Sequence, residues 1–452
     1  MKDDRLATHR YPAYKDSGIE WLSEVPEHWK VVRARDTVIR IGNGVTPRGG
    51  SEVYTNSGIP FLRSQNIYDD GLRIKNVSFI SKEIHEDMKS SQLKERDILI
   101  NITGALIGRT CIFPAGISDA NINQHIAFLR IKPVFNSSYI SLFLKSHFTK
   151  NYIQFEQNGA SKEAFNLNQI SNIPLVLPPL PEQKTIALYL DTATAKIDRK
   201  IDLLTQKATK YGQLKRSIIN EAVTRGLDRS VVMKDSAIGE IPEHWEVKRL
   251  KELSDIQNSN VDKKSHPDET PIKLCNYVDV YKNEFINASL DFMQATATNS
   301  EIKQFKIKEG DLFITKDSET CDDIAIPALA TESLEDVICG YHLARLRSKK
   351  NVFLGAYLFR LFQSKDYGFR FTIYAKGITR VGLGQSAIAD SLTPVPPLAE
   401  QKTIAHYLDT KTGQIDQIIQ TLNTQIEKLK ELRKTLINDV VTGKIKVIED
   451  DS

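Results

Sequence analysis

One long stretch of sequence occurs twice in this chain, at residues 178–228 and again at residues 396–447. Adding 218 to a residue number maps the first copy onto the second without a gap, so that Glu182 corresponds to Glu400 and Asn220 to Asn438. Solenoid repeats recur every 20–50 residues or so, and this distance is far longer. The repeat therefore indicates two half-molecules in tandem within the 452 residues of the chain.

Each copy is predicted to form a long helix. Both copies begin after Pro-Pro-Leu, and proline stops a helix because it lacks the N–H donor and clashes with the preceding turn. Apolar residues then recur with the 4-3-4-3 spacing of a coiled-coil seam, followed in both copies by a shifted stripe. The seam comprises Ile197, Ile201, Leu204, Ala208 and Tyr211 with Ile415, Ile419, Leu422, Ile426 and Leu429, and the shifted stripe comprises Leu214, Ile218 and Ala222 with Leu432, Leu436 and Val440.

Two seams of the same register most simply bury each other, as an antiparallel or a parallel pair of helices. The alternative is two unrelated surface helices, each packed on a local core. A helix over residues 182–225 would be about 65 Å long at about 1.5 Å per residue.

The regions that precede the two helices share a scaffold but differ at most other positions. Lys94–Ile100 matches Lys308–Ile314, and Gln124–Arg130 matches Tyr341–Arg347. Short β-branched runs predict strands at residues 59–67, 97–103 and 125–131, and helices are predicted at 138–148 and 354–364. Each region follows a Pro-Glu-His-Trp phrase that ends at Trp29 or Trp245. All three tryptophans, Trp21 included, lie in the segments that lead into these regions, and we interpret their indoles as structural anchors.

Composition excludes several classes of protein. No apolar run reaches 18 residues, so we expect no membrane span, and the N-terminal residues lack the apolar region of a signal peptide. The four cysteines have no CxxC pairing and no clustered histidines, which argues against zinc and favours free thiols in a cytoplasmic protein. Residues 30–177 carry 18 Lys and Arg against 12 Asp and Glu, whereas residues 246–393 carry 20 against 21.

Motifs for catalysis are missing. The sequence has no GxxxxGK[ST] phosphate loop, no Asn/Asp-Pro-Pro-Tyr/Phe run for amino methylation, and no dinucleotide fingerprint at the short Gly42-Asn-Gly44. A nuclease-like pattern does occur, with Asp268 after a proline and then Glu301-Ile302-Lys303, whose carboxylates are of the kind that hold Mg²⁺. The pattern is short and has no counterpart in the first half, so we expect no catalytic residue and no metal site.

This organisation resembles the specificity subunit of type I restriction–modification systems. The resemblance covers the whole chain, and its most specific parts are the two PPLxEQ helix starts at 178–183 and 396–401, the Val-Thr endings near 223 and 441, and the two Pro-Glu-His-Trp phrases. It implies an α+β chain in which two mixed α/β target recognition domains are separated by two long antiparallel coiled-coil helices, with an internal pseudo-two-fold repeat.

On this reading the chain has six segments: an N-terminal segment at 1–29, recognition domain 1 at 30–177, the central helical repeat at 178–228, a lead-in segment at 229–245, recognition domain 2 at 246–393, and the distal helical repeat at 394–452. The resemblance also implies that the subunit catalyses nothing and reads a split site on double-stranded DNA across a nonspecific gap. Rods of about 65 Å are long enough to hold two readers one DNA turn, about 34–36 Å, apart.

The same resemblance implies partners. Two modification subunits, which bind S-adenosylmethionine and methylate adenine N6, would dock against the helical repeats, and two restriction subunits would add ATP-driven translocation and cleavage. S-adenosylmethionine, ATP and Mg²⁺ are therefore expected on partner subunits, with no cofactor on this chain. Internal two-fold pseudosymmetry would let two identical partners bind one asymmetric chain.

Candidate DNA-binding residues lie where predicted strands end and in turn-rich loops, and they carry donors and acceptors suited to base edges. In the first half they are Thr46, Arg48, Arg63, Ser64, Gln65, Asn66, Ser161 and Lys162, and in the second half Lys316, Asp317, Ser318, Lys376, Thr379 and Arg380. For each of them, ordinary solvation of a loop is an equal alternative.

Candidate partner-binding residues open the two repeated helices and are Glu182, Gln183, Glu400 and Gln401. Capping of the helix is the alternative for these four. Two other functions stay open at this stage, a coiled-coil scaffold with two protein-binding domains and an autonomous nuclease. Salt-dependent duplex binding would argue against the scaffold, and the nuclease requires Mg²⁺-dependent cleavage by the chain alone.

Overall fold

A computed structural model describes residues 9–157, 164–377 and 380–447. The chain forms two compact units, and each long helix contributes to both. Unit 1 comprises the described residues up to Leu204 together with those from Thr424 onward, and unit 2 comprises Thr205–Asn423. The recognition domain of each half therefore folds together with the first part of the helix that follows it and the last part of the other long helix.

Among its described residues, unit 1 contains short strands, five short α-helices, the first part of one long helix and the last part of the other. The strands are β1 (Tyr14–Ile19), β2 (Leu22–Pro26), β3 (Lys30–Arg33), β4 (Val38–Asn43), β5 (Ile59–Leu62), β6 (Ile67–Tyr68), β7 (Gly71–Leu72), β8 (Ser78–Ile80), β9 (Ile98–Asn101), β10 (Thr110–Ile112), β11 (Asn121–Ile122), β12 (Ile126–Ile131) and β13 (Pro174–Leu177). The helices are α1 (Ala34–Thr37), α2 (Lys82–Asp87), α3 (Ser137–Lys145), α4 (His147–Gln157), α5 (Leu167–Ser171) and α6 (Leu180–Arg225).

Unit 2 has a similar order of elements and ends in the second long helix. The strands are β14 (Met233–Lys234), β15 (Ile241–Pro242), β16 (Glu246–Arg249), β17 (Ser254–Asn258), β18 (Thr270–Cys275), β19 (Phe285–Ile286), β20 (Met293–Ala297), β21 (Lys306–Ile307), β22 (Asp311–Thr315), β23 (Asp317–Ser318), β24 (Pro327–Ala330), β25 (Leu334–Cys339), β26 (Leu343–Ser348), β27 (Val381–Gly382) and β28 (Leu392–Val395). The helices are α7 (Leu250–Leu253), α8 (Tyr277–Lys282), α9 (Asn299–Phe305), α10 (Gly355–Gln363), α11 (Lys365–Tyr374), α12 (Gln385–Ala389) and α13 (Leu398–Val441).

The central sheets of the two units have the same strand order. In unit 1 the order is β10-β9-β12-β4, and in unit 2 it is β24-β22-β26-β17, with β19 added beyond β24. Phe128 on β12 pairs with Leu99 on β9, and Leu346 on β26 pairs with Leu312 on β22. The predicted α+β scaffold and its internal repeat are confirmed, and β5 is shorter than predicted because a 3₁₀ turn begins at Ser64.

A buried ion pair recurs at the same place in both sheets. Arg130 donates two hydrogen bonds to the Asp97 carboxylate at 2.9 and 2.7 Å, and Arg347 donates two to Asp311 at 2.6 Å each. Both aspartates are nearly fully buried, and both also accept a backbone N–H three residues upstream. Because a bidentate pair fixes the geometry of both partners, it holds two neighbouring strands in register.

The helix predicted at 138–148 is divided in the structure. Helix α3 ends at Lys145, Ser146 is extended, and α4 starts at His147. Unit 2 repeats the break at Ser364, between α10 and α11. An asparagine near the end of a long helix accepts the first N–H groups of the second helix, Asn438 from Phe148 at 3.1 Å and Asn220 from Asp366 at 3.3 Å.

The long helices are continuous over 46 and 44 residues, and within each unit the two helix segments run antiparallel. In unit 1, Asp198 pairs with Arg433 at 2.9 Å, while Tyr139 beside the start of α6 donates to the carbonyl of Val441. In unit 2, Lys215 pairs with Asp416 at 2.9 Å. These two ion pairs occupy equivalent positions of the repeat.

The first predicted seam is confirmed, since Ile415, Leu422 and Ile426 are buried and its other members are partly buried. The shifted stripe is wrong at its first position, because Leu214 and Leu432 are 46% and 47% exposed. The last turns bury Ile219 with Val223 and Ile437 with Val441 against the core of their own unit. The buried face therefore turns toward the recognition domain, away from the axis of the seam.

Candidate nucleic-acid interface and helix-start sites

Glu182 at the start of α6 ties the N-terminal segment to the helix. Its carboxylate accepts hydrogen bonds from Trp29 Nε1 at 3.2 Å and from the Tyr11 hydroxyl at 2.7 Å, and His28 Nε2 lies 2.9 Å from its second oxygen. Trp29 is fully buried, and burial together with the hydrogen bond to Glu182 raises the pKa of Tyr11. The carboxylate also lies in the first helical turn, where the dipole favours negative charge.

Unit 2 repeats this arrangement at Glu400. Trp245 Nε1 donates to Glu400 at 3.1 Å, and His244 Nε2 lies 2.8 Å from the same oxygen. Trp245 is fully buried as well, so the interpretation of both tryptophans as structural anchors is confirmed. The third tryptophan, Trp21, is 40% exposed and packs edge-on against Phe155, with ring centroids 4.5 Å apart.

The two glutamines that follow are buried inside their own units. Gln183 donates to the carbonyl of Pro178 at 2.8 Å and accepts from the backbone N–H of Asn136 at 2.9 Å. Gln401 bonds in the same way to Pro396 and Leu354. The Gln183 side chain thus links the start of α3 to the start of α6, and the Gln401 side chain links the start of α10 to the start of α13. Contact of these four residues with a partner stays a prediction. Of the four side chains, only those of Glu182 and Glu400 are partly exposed and accessible to a partner.

Thr46 lies in a polar cluster of unit 1 that the sequence did not single out. Its hydroxyl donates to Gln124, and Gln124 Nε2 lies 3.1 Å from His125 Nε2. Thr103, just past β9, is 2.6 Å from His125 Nδ1. Arg48 is exposed on the same Gly-rich loop. The cluster is built from hydroxyl, amide and imidazole groups, all of which can donate and accept hydrogen bonds.

The run from Arg63 to Asn66 is only partly available to a ligand. Gln65 is exposed and Ser64 and Arg63 are partly buried, whereas Asn66 is buried. The Asn66 amide caps its own 3₁₀ turn by accepting from the N–H of Arg63 and donating to the carbonyl of Arg73, at 2.9 and 2.8 Å. The Asn66 side chain is therefore occupied by its own turn, and contact of Asn66 with DNA stays a prediction. Ser161 and Lys162 lie outside the described residues.

In unit 2 a charged cluster occupies the equivalent place. Lys316 Nζ lies 2.7 Å from Asp317, His342 Nδ1 lies 3.2 Å from the same carboxylate oxygen, and Arg380 Nη2 is 3.1 Å from His342 Nε2. Burial lowers the pKa of His342, and the hydrogen bond to Asp317 opposes this effect. A neutral His342 has a ring nitrogen free to accept from Arg380.

Pairing of two short strands brings the remaining predicted residues of unit 2 to this cluster. Strand β23 pairs with β27, and Lys376 exchanges backbone hydrogen bonds with Gly382. Lys376 and Arg380 are exposed, while Ser318 is buried with its hydroxyl 3.3 Å from that of Tyr277. The Ser318 side chain is therefore closed off, and Thr379 lies outside the described residues.

The residues missed by sequence reasoning are the two histidines at the centre of these clusters and Gln124. The matched runs Gln124–Arg130 and Tyr341–Arg347 contained them but were interpreted only as scaffold. In both units the histidine carbonyl accepts the N–H of the residue after the preceding central strand, Ile102 or Lys316, at 3.0 Å. The signal in the sequence was that both copies of the repeat have a histidine at this position, while the residues around it differ.

The nuclease-like carboxylate has a structural role. Glu301 forms a capping box on α9, accepting from the N–H and the hydroxyl of Thr298 at 3.0 and 2.7 Å. Within 9–157, 164–377 and 380–447, no group of three or more His, Cys, Asp or Glu side chains is placed to hold a metal ion. None of the helices in these segments combines the length and apolar character needed to cross a bilayer.

Comparison with known proteins supports one assignment. The chain is 26% identical over 441 residues to the type I restriction enzyme MjaVIII specificity subunit of Methanocaldococcus jannaschii, covering 96% of this chain and 97% of the relative. It is 21% identical to the EcoKI specificity subunit of Escherichia coli, with 93% and 90% covered.

Solved structures share the fold. A chain from a structure described as "Structural basis underlying complex assembly and conformational transition of the type I R-M system" has a TM-score of 0.71 at 15% identity, with 92% of this chain and 98% of that chain covered. The HsdS subunit from Thermoanaerobacter tengcongensis gives a TM-score of 0.51 at 16% identity, with 93% and 98% covered. The family described as "Type I restriction modification DNA specificity domain" matches residues 26–208 and 242–428. The chain therefore belongs to the family of type I restriction–modification specificity subunits.

Proposed function

We propose that this chain reads a bipartite site on double-stranded DNA, with each unit reading one half of the site. The main observation in support of this proposal is that the two copies of the scaffold present different polar clusters. His125 and His342 stand at equivalent positions, but the first is surrounded by Thr103 and Gln124 and the second by Asp317 and Arg380. Two units that share a fold but present different polar side chains would recognise different base sequences.

The chemistry of the clusters suits the edges of bases in a groove. Arginine and glutamine side chains form bidentate hydrogen bonds with guanine and adenine respectively, and a carboxylate accepts from the cytosine amino group. Thr46, Arg48, Gln65 and Gln124 are the exposed candidates in unit 1, and Lys376 and Arg380 are those in unit 2. Lysines and arginines among them would also contact phosphates, which adds affinity that falls as salt rises.

The long helices would set the gap between the half-sites and dock two modification subunits. In support of this, both helices are continuous, and ion pairs recur at equivalent positions of the repeat, Asp198 with Arg433 and Lys215 with Asp416. The chain would bring no catalytic group of its own. S-adenosylmethionine, and ATP and Mg²⁺ where restriction subunits are present, would be bound by those partners.

The proposal is tested by replacing residues 246–393 with the matching region of a relative of different specificity. The hybrid is co-expressed with the modification subunit, and methylation is mapped on DNA libraries with random half-sites and variable gaps. We expect one half-site to change, with the loss of about 10³-fold or more in preference for the old sequence. The other half-site and the preferred gap should stay the same, because unit 1 and both helices are retained.

A change in both half-sites would contradict independent reading by the two units. The unmodified chain serves as the control and should bind duplex DNA with an affinity that falls steeply between about 50 and 200 mM salt. Absence of any salt-dependent duplex binding would favour a coiled-coil scaffold with two protein-binding domains instead.

A further inference from the structure

A groove in unit 1 lies between α3 and the first turns of α6. It encloses about 370 Å³, and its walls include Ser141, Leu142 and Lys145 from α3 and Lys184, Leu188 and Asp191 from α6. These positions follow the i, i+3/i+4, i+7 spacing that puts side chains on one face of a helix. The groove is built into the fold, since the bond from Asn136 to Gln183 fastens the start of α3 to the start of α6.

Polar groups in the groove lack partners. Ser141 is 0% exposed, and its hydroxyl has no hydrogen-bond partner. Lys145 is largely enclosed, which lowers its pKa, while Asp69 and Asp70 act on it in the opposite direction. Asp69 forms its ion pair with Lys150 rather than with Lys145, and Lys184 is exposed. A buried donor without an acceptor has lost its hydrogen bond to water and gained none in exchange. Beside these groups, Leu188 is 69% exposed.

The equivalent place in unit 2 is filled from within the chain. The offset of 218 maps Leu142 to Arg360, Lys145 to Gln363 and Asp191 to Asp409. Arg360 is 2% exposed and donates to Asp409 at 2.7 and 3.0 Å and to Gln363 at 2.7 Å. The buried Arg360 side chain therefore lies at this place in unit 2, whereas unit 1 has the shorter, uncharged Leu142 there.

We propose that the groove of unit 1 receives an acidic side chain of a modification subunit, flanked by apolar surface that covers Leu188. This inference rests on the proposed docking of that subunit on α6. A carboxylate fits the groups present because it would accept from Ser141, Lys145 and Lys184 together. The two partner sites of the chain are then unequal.

Matched substitutions test the proposal. Lys184→Gln in unit 1 and Lys402→Gln at the equivalent position in unit 2 make the same change on the two repeats, and both lysines are exposed. Binding of purified modification subunit to the full chain is measured by titration calorimetry, with native mass spectrometry to count the copies. We expect Lys184→Gln to weaken one of two binding events about tenfold, as for loss of one member of a charge pair, and Lys402→Gln to leave both within about twofold.

A second variant fills the groove. Leu142→Arg places a guanidinium beside Asp191, as Arg360 lies beside Asp409, and should remove one binding event while the chain keeps its helical circular dichroism and its binding to duplex DNA. Two unchanged binding events in both Leu142→Arg and Lys184→Gln would overturn the inference and leave the proposed function standing. A wild-type chain that binds no modification subunit would instead overturn the docking part of the proposed function, and this inference with it.

Discussion

The two polar clusters at His125 and His342 differ in charge although they stand on the same scaffold. Around His125 the groups are a hydroxyl and an amide, Thr103 and Gln124, whereas around His342 they are Asp317, Lys316 and Arg380. The strands below them have one order, and the buried pairs Asp97–Arg130 and Asp311–Arg347 are equivalent. The same fold therefore accepts uncharged or charged side chains at the ends of its central strands, because the packing of the sheet does not depend on those side chains.

The largest effect is expected from removing the buried tryptophan that each unit has at the start of its long helix. Trp29→Ala and Trp245→Ala each delete a fully buried indole that donates to the glutamate at a helix start. Large-to-small changes of this kind cost about 3–5 kcal/mol. We expect equal losses, each confined to its own unit, measured by native-state hydrogen exchange in β9 and β12 or in β22 and β26.

Trp21→Ala is the matched control, because this indole is partly exposed and bonds to no helix-start glutamate; its effect should be well below that of the other two. If the loss of stability in one unit were several-fold larger than in the other, the similar geometry at Glu182 and Glu400 would not contribute equally to the stability of the two units.

The second prediction sharpens the difference between the clusters. Arg380→Ala removes an exposed cation from unit 2, and Gln124→Ala removes an exposed neutral amide from unit 1. If both residues contact DNA, each change should cost about 1–3 kcal/mol of discrimination at one base of its own half-site. Only Arg380→Ala should also reduce the salt dependence of duplex binding, by about one released counterion.

Duplex affinities of the two variants, measured at several salt concentrations, decide this prediction. Lys200→Gln on the exposed face of α6 is a control for the general effect of losing one positive charge. Identical salt slopes for Arg380→Ala and wild type, with no change in base preference, would remove Arg380 from the interface.

The smallest expected effect concerns pH. Burial holds the pKa of His342 below its ordinary value, so the unfolded chain takes up a proton at a higher pH than the folded chain does. The free energy of unfolding of unit 2 should therefore fall as pH drops from about 6.5 toward the lowered pKa. Hydrogen exchange in β22 and β26 at pH 7 and pH 5.5 measures it.

His342→Gln should abolish that part of the pH dependence, because glutamine does not titrate in this range. A variant with the full wild-type pH response in unit 2 would place its origin in other groups. Protection of β9 and β12 in unit 1, recorded in the same experiment, should be the same in the variant and in the wild-type chain.

Sequence reasoning went furthest where one local pattern carried the information. The 4-3-4-3 seam and the two buried tryptophans follow from periodicity and position and are present, and each long helix begins at the leucine of Pro-Pro-Leu, one residue before the predicted start. It went wrong at Leu214 and Leu432, because the ends of the helices turn their buried face toward a domain rather than toward each other. It also did not anticipate that the polar side chain of Asn66 satisfies a turn of its own backbone.

What the sequence by itself determined is the repeat, and with it two copies of one scaffold on two long helices, since an identical pattern of apolar and helix-breaking residues must fold alike. Only the tertiary structure decided which polar groups meet. Thr103 and His125, or Asp317, His342 and Arg380, are separated by many residues and are brought together by strand pairing. Likewise, Leu142 in place of Arg360 is one apolar residue in a helix, and its consequence, an open groove beside Asp191, exists only because α3 packs next to α6.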